Sequence, residues 1–244
     1  MRILIFLIAS VLILCSCEKE QMNDCITSTG IIQREKRLLT EFDSIRLYRR
    51  LNLILIQDSS NFIEIEAGKN LIEGIQTEVN NRILTIENKN TCNWMRSYSK
   101  PINIYLHHTN FKRLVLYGSN NVTTEGALKS DSIIVEFRDA SGNVDLTLDN
   151  KHFFGIQHTG AGDLVLRGST EGLEIYTASL GLVNALDLDA RNVLVKSLSA
   201  VDAYVNASES LYLETFAAGS IFYSGSAQNI FKESRGSGTI SRIY

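Results

Sequence analysis

Glu214 and Glu233 stand 19 residues apart, and Lys196 precedes Glu214 by 18. If the chain repeats at that interval, the three side chains fall into one line. Two carboxylates about 5–9.5 Å apart are what glycosidic hydrolysis needs, and a lysine beside them could serve a lyase as base. The same three residues also form a solvated stripe whose charges offset one another. Nothing in the chain supplies long loops to wall a substrate groove. No Walker loop, HExxH or GxSxG motif occurs. Gly160-Ala161-Gly162 and Gly236-Ser237-Gly238 are followed by no helix, so they read as bends rather than phosphate cradles. His107, His108, His152 and His158 do not sit at ligand spacing with any cysteine. The expectation is therefore a non-catalytic protein with no cofactor and no metal site. A carbohydrate-active enzyme, either a polysaccharide lyase or a glycoside hydrolase, is the alternative.

The other residues with a chemistry to offer are apolar and aromatic. Leu194, Tyr212 and Phe231 recur at one position of the repeat, and Tyr204 and Phe222 at another. Exposed rings in a row can stack on a glycan or seat a protein partner. Equally, a loop, the N-terminal region or a second copy could cover them. These five residues form the candidate partner surface.

Positioning them falls to a repeat over residues 111–244. Seven bends of small residues each end in an apolar anchor: Val122, Val144, Leu164, Val183, Ala203, Ile221 and Ile240, at intervals of 22, 20, 19, 20, 18 and 19. A fixed period of this size marks a repeat architecture. Five of the seven residues two before the anchor are glycine, and all those four before are small. Such bends need positive φ or close contact with the bend of the next coil. Ten and eight residues before each anchor the chain is mostly aliphatic, with mixed residues between, which is strand alternation. No stretch offers a crossover helix. Coils stacked in register, about 4.8 Å apart, would make a rod of roughly 34 Å. The fold expected is all-β, a parallel β-helix of about seven regular coils. One proline in 244 residues suits a ladder that needs every amide.

The N-terminus reads as an export signal. Arg2 is followed by the apolar run Ile3–Leu14, too short to span a bilayer comfortably. Leu14-Cys15-Ser16-Cys17 resembles the lipobox of bacterial lipoproteins, which implies cleavage before Cys17 and acylation of its thiol. Membrane attachment through lipid on Cys17 follows, with residues 1–16 as signal and 17–37 as tether. Glu18-Lys19-Glu20 resembles a surface-export tag, so an outer-membrane lipoprotein facing either the periplasm or the exterior is expected. A net charge of −3 provides no field for nucleic acid.

With Cys15 removed and Cys17 lipidated, Cys25 and Cys92 remain, and two thiols in an exported protein suggest a disulfide. Residues 38–110 also carry strand patterns, less evenly spaced, and form either the first coils or a cap. Trp94, the single tryptophan, lies in a stretch that interrupts them, either as a sugar-stacking residue or as a plug for the core.

Asp24-Cys25, Ser28-Thr29-Gly30, Ala67-Gly68-Lys69-Asn70-Leu71, Cys92-Asn93-Trp94 and the closing Arg235-Gly236-Ser237-Gly238-Thr239-Ile240 together resemble the putative auto-transporter adhesin, head GIN domain family of Bacteroidota. The resemblance covers about residues 24–244. It implies a right-handed parallel β-helix and a binding or structural role. Val201 departs from the glycine bend, so its coil is expected to differ locally.

Overall fold

The computed structural model describes residues 29–90 and 101–243. Cys17, Cys25, Cys92 and Trp94 lie outside the described residues, and with them the lipidation site and the expected disulfide. Among the described residues no helix is long and apolar enough to cross a membrane.

The chain is a parallel β-helix. Its regular part is built from β8 (Arg113–Ser119), β9 (Asn121–Glu125), β10 (Leu128–Ser141), β11 (Asn143–Gln157), β12 (Asp163–Thr177), β13 (Val183–Ser197), β14 (Ala203–Thr215), β15 (Ile221–Ser224), β16 (Asn229–Ser234) and β17 (Ile240–Arg242). Each long strand runs around a corner of the coil, and all pairings in this part are parallel. The seven anchors form one continuous row, Val122–Val144–Leu164–Val183–Ala203–Ile221–Ile240. Seven rungs enclose about six turns, close to the seven coils expected.

The bends are tight because consecutive coils touch there through backbone. Gly142 has φ +124, and a Cβ on it would lie 2.2 Å from the Asn120 carbonyl oxygen. Where Val201 replaces the glycine, its amide donates to Ser199 Oγ at 2.9 Å, as the Gly181 amide does to Ser179 Oγ at 3.2 Å. That hydrogen bond is common to the two bends. A second device fastens the corners from inside. Gln157 Nε2, Thr215 Oγ1 and Ser234 Oγ each donate to a bend carbonyl four or five residues on, at 2.8, 2.8 and 2.6 Å. These side chains share one inward column with Phe137, Thr177 and Ser197, so the column becomes polar next to backbone that needs donors.

One part of the expected register is corrected. Counting eight and seven residues back from the anchors places Glu136 and Ile156 in the aliphatic lining, and Phe137 and Gln157 in the row of Glu214. The structure pairs Glu136 with Val115 and Ile156 facing outward, and buries Phe137 beside Leu116 and Gln157. β10 and β11 each hold one residue more between strand and bend than the other coils. In β10 the extra length is taken up at Arg138 and Asp139, where Asp139 adopts φ 51. Counting back from the anchor therefore slips by one in those two coils.

The N-terminal region is both coil and cap. β2 (Ser44–Tyr48) and β3 (Asn52–Gln57) form a rung directly beneath β8 and β9. The chain then leaves through β4 (Phe62–Gly68), the single turn α1 (Lys69–Ile72) and β5 (Ile75–Asn80), and returns as β6 (Ile83–Asn88) and β7 (Asn103–His108). These last two pair in parallel with the other edge of β2 and β3. Rung order thus differs from sequence order, which is why the spacing looked irregular. β4 and β5 run antiparallel to β7 and β6, and close this end of the stack. The stretch read as tether contains β1 (Ile32–Leu38), paired antiparallel with β4 along its length. Its Gln-Arg-Glu-Lys-Arg core is exposed and charged, as edge strands often are, and Arg34 pairs with Glu64 and Glu66.

Candidate functional site

Every strand of the coil alternates inward and outward residues, so each outward position becomes a column running along the rod. On one face the column reads Arg113, Ile134, Phe154, Glu174, Leu194, Tyr212 and Phe231. The next column reads Arg46, Val115, Glu136, Ile156, Tyr176, Lys196, Glu214 and Glu233.

The C-terminal half of this face holds three of the five predicted surface residues. Tyr212 and Phe231 stack with centroids 4.6 Å apart and planes 14° from parallel. They are 37% and 45% exposed, so the pair forms an open apolar step, with Leu194 half-buried at its foot. Lys196 Nζ lies 5.9 Å from the Tyr212 ring centre. Leu198 and Phe216, absent from the predicted set, lie one residue beyond the ends of β13 and β14. Both stand five residues before an anchor, so the repeat itself contained the signal. Tyr204 and Phe222 also stack, at 5.1 Å and 19°. They belong to the sheet that carries the anchors, so the predicted surface divides between two faces.

The carboxylate pair is placed side by side, Glu214 against Glu233, but each is engaged by cations. Lys196 Nζ lies 3.4 Å from one Glu214 oxygen, and Arg235 Nη2 lies 3.9 Å from the other. Arg235 grips Glu233 with two hydrogen bonds of 2.8 Å, which hold that carboxyl below its ordinary range. Glu214 is buried rather than solvated, 7% exposed at the side chain. It is covered by Lys196 and Arg235, which extend along the wall. Glu233, tied to a guanidinium that favours its charged form, is a poor proton donor. Among the described residues no group of three His, Cys, Asp or Glu could hold a metal ion.

No curated protein matches the sequence. Among solved structures, the fold is similar to a putative adhesin from Bacteroides fragilis, with TM-score 0.80 at 23% identity over 87% of this chain and 97% of that one. A putative lipid binding protein from Parabacteroides distasonis gives 0.68 at 17% identity, covering 89% and 98%. A putative adhesin from Parabacteroides merdae gives 0.58 at 18%, covering 89% and 98%. At these identities the likeness concerns the fold. The model of one family matches residues 41–227, and the chain belongs to that family, the putative auto-transporter adhesin, head GIN domain.

Proposed function

We propose that the protein is a non-catalytic, lipid-anchored module of the outer membrane that binds a glycan on the wall of its β-helix. The observation carrying this is the Tyr212–Phe231 step, two stacked and nearly parallel rings left open on a face with few loops. A pyranose ring presents a flat C–H face that can stack on the outer side of Phe231, the last ring of its column. Its rim of hydroxyls would meet the charged groups of Lys196, Glu233 and Arg235 beside the step. The anchor rests on Cys17 and the apolar run before it, and the family's adhesin description supports placement in the cell envelope. The engaged state of Glu214 and Glu233 favours binding over hydrolysis.

The test is a glycan array probed with the wild-type chain and with Tyr212→Ala. Binding should weaken at least tenfold in the variant, with melting temperature unchanged. Undiminished glycan binding by Tyr212→Ala overturns the proposal, as does capture of a protein partner with no glycan retained.

A further inference from the structure

The N-terminal half of the same wall carries a second feature, of different chemistry. A pocket of about 360 Å³ opens over β2, β6 and β8, with Arg46, Arg113, Arg138, Tyr117 and Glu136 among its lining. Glu136 forms its floor and is only 2% exposed although it faces outward. One oxygen accepts from Arg113 Nε at 3.1 Å and from Arg113 Nη2. The other accepts from Arg138 Nε at 2.5 Å and meets His158 Nε2 at 3.0 Å. A carboxylate has about four lone-pair sites, so Glu136 is saturated by these contacts.

Arg46 is the excess. It stands in the same outward row, next to Val115, and no carboxylate among the described residues pairs with it. Three guanidiniums against one carboxylate leave the pocket at 3 − 1 = +2 before His158 is counted. Neutralising Glu136 would not require a third guanidinium. Asp139 borders the adjoining cavity of about 410 Å³, which shares Tyr117 and Arg138. One wall is aromatic, with Tyr48 and Tyr117 stacked at 4.5 Å and within 4° of parallel.

We propose that this pocket binds the oxyanion of an acidic sugar, a uronate carboxylate or a sulfate ester, with the sugar ring against Tyr117. Guanidinium forks match the geometry of both oxyanions, and Glu136 orients two of the forks from below. Arg46 supplies the uncommitted charge. The sugar part rests on the glycan-binding reading above; the charge requirement is additional to it.

The experiment is calorimetric titration of the full mature chain with trigalacturonate, a sulfated galactose disaccharide, neutral galactotriose and sodium sulfate. At least one acidic sugar should bind at least tenfold more tightly than galactotriose. Arg46→Gln should reduce that affinity about tenfold without changing the melting temperature. Lys129→Gln removes the same charge from an exposed residue that pairs with Asp149, and should leave affinity unchanged. Equal loss in both variants, no loss in Arg46→Gln, or binding of sodium sulfate but of no sugar overturns the proposal. Tyr212→Ala, run in parallel, separates the two sites. If it weakens sugar binding while acidic and neutral sugars bind alike, the aromatic step stands and the pocket proposal fails. If Arg46→Gln alone weakens binding, the pocket stands and the step fails.

Discussion

His108 sits at the end of β7 with 1% of its surface exposed, edge-on to Phe111 at 4.9 Å. Among the described residues, neither ring nitrogen has a hydrogen-bond partner. Its neighbour His107 points outward, stacks on Phe62 and bonds Asp58. Burial, with a smaller contribution from His107, pushes the His108 pKa down to about 4. The folded protein therefore refuses a proton that the unfolded chain accepts below about pH 6.5. Stability should fall as pH drops from 6.5 towards 4, by up to about 3 kcal/mol, since one pKa unit is worth about 1.4 kcal/mol. Carboxylates held low by cations, such as Glu66 and Glu136, contribute stability that is lost only as pH falls through their more acidic range. Urea titrations between pH 7 and 5 isolate the histidine, and His108→Leu should flatten that slope; an unchanged slope would refute the assignment. Alternation along β7 puts Ile104, Leu106 and His108 on one parity, so the inward placement was legible in the sequence. Its lack of a partner was not, because that depends on Phe111 and the rungs around it.

At the scale of the element, glycine at the bends is a contact requirement between coils. Gly142→Ala should cost about 3 kcal/mol, combining an unfavourable positive φ with a clash against the Asn120 carbonyl. Gly126→Ala, also at positive φ but with open space around its Cβ, should cost about 1 kcal/mol. Chemical denaturation of both variants checks the difference, and equal costs would show that backbone conformation alone selects the glycines. The seven-anchor row was readable because the residue four before each anchor is small and the one two before is glycine in five of the seven bends. Counting back from the anchor misplaces the outward columns in β10 and β11 because each coil holds one extra residue upstream of the bend, at Arg138 and Asp139 in β10, where composition does not mark it. The consequence for the site is direct. Glu136 was assigned to the lining, and the guanidiniums around it could not be recognised as a cluster. The Tyr212–Phe231 step escaped this problem because β14 and β16 keep the common interval.

For the whole molecule, the two ends of the rod present different problems. At one end β4 and β5 run antiparallel across the last rung and β1 adds a charged edge. At the other, β16 and β17 each pair on one side only among the described residues, leaving backbone groups available to another chain. Two of the interior columns end there in cations. Ile175, Val195 and Leu213 are followed by Lys232, and Ala185, Val205 and Tyr223 by Arg242. Lys232 Nζ lies 3.3 Å from the Tyr223 hydroxyl, and Arg242 Nη2 donates to the Gly225 carbonyl at 2.7 Å. Two copies meeting end to end would bring four cations into the mouth of a shared core, at a desolvation cost that unpaired charges do not recover. The open end is therefore blocked by charge where the first end is blocked by strands. Lys232→Val with Arg242→Val would continue both aliphatic columns to the surface beside an unpaired edge. A wild-type chain beginning after Cys17 should run as a monomer in size-exclusion chromatography with light scattering. The double variant should form end-to-end dimers or longer rods at the same concentration, with its β-sheet circular dichroism retained. A monomeric double variant would mean that the bends and short length of β17, rather than the two cations, terminate the stack.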